Sequence, residues 1–303
     1  MGRTARMSHP LNLLMLLVQL PAGATAANLP YNETIAVDNV WFNQAVAAVD
    51  VAALESWTCG RPCQAAGPLT SVRVLHEAVL GVYAVAAHYG GQCILVFRGT
   101  KNVQNVIMDG FIVKAAPFAS CPECRLHGGF VESWRALRGR VYGALEDLGC
   151  AARGIQMTGH SLGGALASIT AWDLVERGYD VRQVYTYGEP RVGNDAWVRA
   201  FRTRLAKTSY YRIVEYKDPV PHIPPRQFGY AQSGPEVYYY ATRLSSFRVC
   251  AAGEDEQCSG QWSFLECIPH GCFHCSYLGM NPCTPNATEP RCEEPRPEPV
   301  FHV

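Results

Sequence analysis

The stretch Gly159-His160-Ser161-Leu162-Gly163-Gly164 restricts this chain more than any other feature. Ahead of it, Ile155-Gln156-Met157-Thr158 reads as a short apolar strand. Behind it, Leu162, Leu166, Ile169 and Trp172 recur at helical spacing. Strand, Gly-x-Ser-x-Gly turn and helix, in that order, are the backbone recipe of a nucleophile elbow, which lifts a serine hydroxyl out of the chain. Gly159 and Gly163 stand two residues either side of the serine, where the turn leaves no room for a Cβ. The helix that follows points its first amides and its dipole at any negative charge forming there.

A chain of 303 residues with 48% hydrophobic residues is large enough to bury a core of its own. Its formal net charge is zero, and nothing in the composition suggests a nucleic-acid partner, which would ask for a basic face. Residues 1–26 read as a signal peptide: Arg3 and Arg6, an apolar run from Leu11 to Leu20, then Ala24-Thr25-Ala26. The rival reading, a membrane anchor, is disfavoured because the run is short for a bilayer. No later segment is long and apolar enough to cross one. A secreted, extracellular product is expected, and thirteen cysteines suit that compartment. Their odd number leaves at least one outside an internal pair. Cys59/Cys63, Cys121/Cys124 and Cys250/Cys258 are candidate local staples, whereas the connectivity of Cys267, Cys272, Cys275, Cys283 and Cys292 stays open. A zinc site on these cysteines with His270 and His274 is the rival reading, disfavoured by their spacing. Asn32-Glu33-Thr34 and Asn286-Ala287-Thr288 are candidate glycan acceptors.

Strand-like runs at 80–89, 93–97, 155–158, 184–187 and 210–214 alternate with helical patterns at 130–148, 161–177 and 195–205. Such alternation predicts an α/β fold around a mostly parallel sheet, in a single domain over 27–283. The Pro- and Glu-rich residues 284–303 read as a tail.

A serine nucleophile needs a base, and the base needs an orienting carboxylate. Asp173 and Asp180 fall in and just after the helix that follows Ser161, and Asp195 stands at a helix start, a capping position. Asp218 instead follows the strand Tyr210–Val214 and sits in a loop stiffened by Pro219, Pro221, Pro224 and Pro225. Strand ends of this kind present site residues in open α/β sheets, so Asp218 is the predicted acid. Of the histidines downstream, His302 lies in the tail and His222 is too close to Asp218 to reach around. His270 and His274 both remain. Within the elbow, His160 is expected to be structural; His127 is expected to hold a loop and Arg98 a strand end.

These residues resemble the fungal-type class 3 triacylglycerol lipases and their feruloyl esterase relatives. The resemblance covers roughly residues 40–283 and runs in the family's order. It joins the elbow to Val96-Phe97-Arg98-Gly99-Thr100, His127-Gly128-Gly129-Phe130, Tyr187-Gly188-Glu189-Pro190-Arg191-Val192-Gly193-Asn194, Asp218-Pro219-Val220-Pro221 and His274-Cys275-Ser276-Tyr277-Leu278-Gly279. It implies an α/β-hydrolase-like domain with a short lid. Its triad would be Ser161, Asp218 and His274, which selects His274 over His270, and its oxyanion hole the amides of Thr100 and Leu162. Between Thr100 and His127 the family carries its lid; here Val103, Val106, Ile107 and Phe111 are the apolar candidates, with Gly110 a hinge. The chain departs from the family in three places. Val106 follows Asn105 where lids often carry tryptophan, Gln232 stands where a histidine is frequent, and the family's N-terminal partner for Cys283 is missing.

The implied activity is hydrolysis of carboxylic esters, acylglycerols foremost, with no metal or organic cofactor. Lipid or a small ester is the expected partner, touched transiently through the lid. The alternatives are an esterase for soluble or polysaccharide esters, which the acidic Glu254-Asp255-Glu256 loop allows, and an inactive lipase-like binding protein.

Overall fold

The computed structural model describes residues 30–48, 50–99, 113–241, 243–251, 253–285, 287 and 292. An eight-stranded sheet runs in the spatial order β1-β2-β3-β6-β7-β8-β9-β10. Its strands are β1 (Thr70–Glu77), β2 (Val82–Tyr89), β3 (Gln92–Phe97), β6 (Ile155–His160), β7 (Val181–Tyr187), β8 (Ser209–Glu215), β9 (Glu236–Tyr239) and β10 (Phe247–Cys250). From β3 through β9 all neighbours are parallel, and the antiparallel pairs β1–β2–β3 and β9–β10 close the two flanks. A small antiparallel pair, β4 (Lys114–Ala115) and β5 (Leu126–His127), lies apart.

The alternating pattern of β6 shows why the centre is buried on both faces. Ile155 and Met157 pack into the largest apolar cluster, against Val141 and Leu145 of α4 (Gly128–Asp147) and Leu166 and Ile169 of α5 (Leu162–Glu176). Gln156 and Thr158 point the other way, to α1 (Glu33–Ala47), where Gln156 Nε2 meets Asn39 Oδ1 at 2.9 Å and Asn43 Nδ2 meets Thr158 Oγ1 at 2.8 Å. Phe42 and Val46 of α1 then seal Val85, Ala87, Ile94 and Val96 on the same face. Helix α1 is absent from the sequence reading because its buried positions include Asn39, Asn43 and Gln44, polar residues that match polar residues on the sheet and blur the apolar period. Asn32, in one of the two candidate glycan sequons, caps this helix by accepting from the Ile35 amide at 3.2 Å.

The predicted strand at 80–89 begins at Val82, because residues 78–81 turn and Gly81 has φ +62°. Strands β1, β9 and β10 were not anticipated. β1 exposes Thr70, Ser71 and Arg73, and β9–β10 is a short flanking pair, so none carries a long apolar run. Register places Phe97 beside Gly159, His160 beside Tyr187 and Tyr187 beside Ile213. The C-terminal ends of β3, β6, β7 and β8 therefore share one edge, where the connecting loops assemble the site.

Six disulfides hold the loops: Cys59–Cys63, Cys93–Cys150, Cys121–Cys124, Cys250–Cys258, Cys272–Cys292 and Cys275–Cys283. The three local staples read from spacing are among them. Cys283, which lacks the family's partner, bonds Cys275 instead, and the buried Cys267 is the unpaired thirteenth. Residues just beyond 283 are tied to the fold. Gln44 Nε2 donates to the carbonyls of Thr284 and Ala287, both at 2.9 Å, and the Cys292 amide donates to Ser276 Oγ at 2.8 Å.

Candidate active site

Ser161 is the single residue between β6 and α5, with φ +60° and ψ −126°, a region that few non-glycine residues occupy. Its amide donates to the Tyr187 carbonyl at 2.8 Å, which fixes the turn against the next strand. A Cβ on Gly159 would stand 2.1 Å from the Gly163 carbonyl oxygen, and one on Gly163 would stand 2.1 Å from that of Phe97. Both glycines are thus demanded by backbone contact. Leu162 opens α5, so its amide is one of the four that a helix start leaves without an intrahelical acceptor.

Asp218 lies three residues beyond β8 and is fully buried. His274 Nδ1 sits 2.9 Å from its Oδ2 and 3.1 Å from its Oδ1, the Val220 amide donates to Oδ1 at 2.9 Å, and the Tyr277 hydroxyl donates to Oδ2. Burial alone would raise the carboxyl's pKa, but the His274 imidazole and these donors outweigh it and hold the group below the usual carboxylate range. With Nδ1–H committed to Asp218, Nε2 is left as the lone-pair atom of the neutral ring. His274 Nε2 and Ser161 Oγ, the two atoms a general-base step would join, are both buried without a hydrogen-bond partner among the described residues. Gly188 makes room for the pair. It has φ +57°, and a Cβ there would fall 2.7 Å from Asp218 Oδ2 and 2.8 Å from His274 Nδ1.

The remaining candidates fall elsewhere. His270 stacks on Phe273 with centroids 6.0 Å apart, and its ring edge meets Tyr216 at 6.1 Å. His222 is buried in the short turn Val220–His222. Asp173 bonds the Tyr142 hydroxyl and pairs with Arg177 at 3.2 Å, while Asp180 pairs with Arg182 at 2.7 Å. The capping role expected of Asp195 belongs to its neighbour: Asn194 Oδ1 accepts from the Trp197 amide at 3.1 Å, and Asp195 sits in the first turn of α6 (Asp195–Arg204). His127 stacks on Phe130 with centroids 4.1 Å apart, and the Arg98 guanidinium lies 5.0 Å from the Tyr83 ring centre. Thr100 and the lid candidates Val103, Val106, Ile107 and Phe111 lie outside the described residues, as do His302 and the signal segment.

Several supporting residues escaped sequence reasoning. Glu254, read only as part of an acidic loop, turns inward. Its carboxylate takes both Nε and Nη2 of Arg191, at 2.8 and 2.9 Å, and accepts from the Gln232 amide at 3.0 Å. Arg191 Nη1 then donates to the carbonyls of His222 and Pro224, so the Cys250–Cys258 loop clamps the loop that carries Asp218. Gln232 Nε2 bridges the Glu189 and Pro221 carbonyls at 2.9 Å each. Tyr277, whose hydroxyl bonds Asp218, was by contrast already visible in the segment His274-Cys275-Ser276-Tyr277.

A parallel sheet with a strained serine at a strand–helix elbow, and an Asp–His pair on loops at the same edge, defines the α/β-hydrolase fold. The chain is similar to the class 3 lipases. The family model described as Lipase (class 3) matches residues 94–228. The secreted mono- and diacylglycerol lipase 1 of Fusarium solani is 31% identical over 217 residues, 69% of this chain and 63% of that protein. The secreted mono- and diacylglycerol lipase A of Penicillium cyclopium is 32% identical over 158 residues, 52% of this chain and 50% of its own length. The chain thus matches from half to just under two thirds of these relatives. Among solved structures, the triacylglyceride lipase of Rhizomucor miehei superposes with a TM-score of 0.71 at 25% identity, over 84% of this chain and 97% of that one.

Proposed function

We propose that this chain is a secreted serine hydrolase of carboxylic esters, acting on acylglycerols and on triacylglycerols first among them, through one lipase domain over residues 27–283. Ser161 is the nucleophile, His274 the general base and Asp218 the carboxylate that orients the ring. Ser161 Oγ attacks the ester carbonyl while His274 Nε2 takes its proton, and Asp218 stabilises the imidazolium that results. The tetrahedral oxyanion is met by the Leu162 amide and by that of Thr100, each such donor contributing roughly 3 to 4 kcal/mol. The alcohol leaves with the proton from His274. Water, deprotonated by the same ring, then releases the acid from the acyl-serine. In this reading residues 102–111 supply the lid, with Val103, Val106, Ile107 and Phe111 as the side chains that would meet lipid.

The observation that carries this reading is the His274 imidazole seated 2.9 Å from the buried Asp218 carboxylate at the sheet edge that also presents Ser161. The acylglycerol assignment is supported by the relatives from Fusarium and Penicillium, which are named as mono- and diacylglycerol lipases. Secretion is supported by the same names and by six disulfides. The test is a fluorophosphonate probe followed by substrate comparison. Wild type should label and hydrolyse emulsified triolein, and Ser161→Ala should do neither. An unlabelled wild type would point to a binding protein, and turnover of methyl ferulate alone to the soluble-ester alternative.

A further inference from the structure

A second imidazole stands beside the proposed base. His160, the last residue of β6 and the one before Ser161, packs its ring on that of His274 with centroids 4.4 Å apart and 34° between planes. Its Nε2 lies 2.7 Å from the main-chain oxygen of His274. A carbonyl oxygen only accepts, so Nε2 carries the hydrogen. The Tyr277 ring meets His160 edge-on at 5.8 Å. On another side the backbone closes in, because a Cβ on Gly99 would come within 3.4 Å of Nδ1. The ring is therefore boxed in and has little freedom to turn. Cys283 Sγ lies 3.8 Å from the same His274 oxygen, so the Cys275–Cys283 bridge borders the contact.

We infer that His160 is a positioning residue for the base: its Nε2–H holds the His274 main chain and its ring backs the His274 imidazole, fixing that ring relative to the elbow. The inference rests on the proposed hydrolase reading. His160 is joined directly to Ser161, so a contact from its side chain to His274 measures the base against the nucleophile's own backbone, without an intervening element. The groups that face His160 are His274 and Tyr277 from the loop after β10, and Asp218 from the loop after β8. Burial first, and the neighbouring His274 second, push His160 down to about 3, so it stays a neutral donor wherever His274 works as a base.

The two parts of the role separate by substitution in the full chain. His160→Phe keeps a ring and removes the donor, whereas His160→Gln keeps a donor and removes the ring. The readouts are the fluorophosphonate inactivation rate, kcat and KM on p-nitrophenyl butyrate, the melting temperature, and the downfield proton resonance of His274 Nδ1–H. For His160→Phe we expect kcat and the inactivation rate to fall by about a hundredfold with KM little changed, the scale of a misplaced catalytic group. The downfield resonance should broaden or move. His160→Gln should recover to within about tenfold of wild type. Should the Phe variant not fold, His160→Met against His160→Gln makes the same comparison. A donor-less variant that is folded and as reactive as wild type overturns the inference, and so does equal slowing of the donor and donor-less variants. A wild type that fails to label would instead defeat the hydrolase reading.

Discussion

The serine side of the site is made within one strand–turn–helix unit, whereas the acid–base side joins Asp218 and His274 across 56 residues of sequence. On the serine side the backbone does the positioning. Two glycines allow main chains to approach where a Cβ would stand 2.1 Å from a carbonyl oxygen, and Ser161 takes up a conformation that only a surrounding structure can enforce. On the other side, cross-links and side chains do it. Cys272–Cys292 and Cys275–Cys283 straddle His274, Tyr277 and the Val220 amide hold Asp218, and Glu254 with Arg191 braces the loop between. Local sterics leave a mark in a short window of sequence. Long-range fastening does not.

The largest expected effect tests the second side. Asp218→Asn keeps the size of the side chain but removes the charge that orients His274, and kcat should fall by about 10³- to 10⁴-fold with the melting temperature nearly unchanged. A loss under tenfold would mean that the ring is held well enough by its other neighbours. Next comes the elbow. Gly163→Ala drives a Cβ into the Phe97 carbonyl and should cost about 3 kcal/mol or more, seen as a melting temperature lower by roughly 6 °C or more. An alanine tolerated there would show that the turn is not set by close approach.

Opening the Cys275–Cys283 bridge by Cys275→Ser with Cys283→Ser should cost about 2.5 kcal/mol by loop closure over 8 residues. It should also depress kcat more than the same loss of stability placed at Cys59–Cys63, a bridge remote in sequence from Ser161, Asp218 and His274. Equal kcat in the two double variants would deny the bridge a part in holding the base. The smallest effect is one of pH. Burial first, and the Arg191 charge second, hold His222 down to about 4. The unfolded chain titrates near 6.5, so the folded value is the depressed one. The stability carried by the neutral ring is complete above about 6.5 and drains away as the pH falls toward 4. Between pH 6.5 and 5.5, His222→Gln should lose about 1 kcal/mol less than wild type in chemical denaturation. Parallel losses would mean that the ring is not forced to stay neutral.

How much was legible follows the same division. The elbow, the strands around it, α4, α5 and α6 were readable because glycine spacing and apolar period act over a few residues. Asp218 was readable as a residue just past a strand end, but the choice between His270 and His274 was not, because both stand in one cysteine-rich loop and only packing separates them. The family resemblance made that choice, and the structure puts His274 against Asp218 while His270 lies on Phe273 and Tyr216. Arg191, Glu254 and Gln232 were invisible as a clamp, because a buried ion pair and an amide bridging two carbonyls have no signature in composition. Helix α1 escaped because polar residues of the helix meet polar residues of the sheet.

The central claim is that Ser161, His274 and Asp218 work as one unit, and a double-mutant comparison tests it most directly. Ester hydrolysis should be measured for Ser161→Ala, His274→Ala and the combined variant, each shown to be folded by its melting curve. If the residues act together, the double variant is slower than the poorer single variant by no more than about threefold. If the two losses instead multiply, the serine and the histidine contribute separately and the account is wrong.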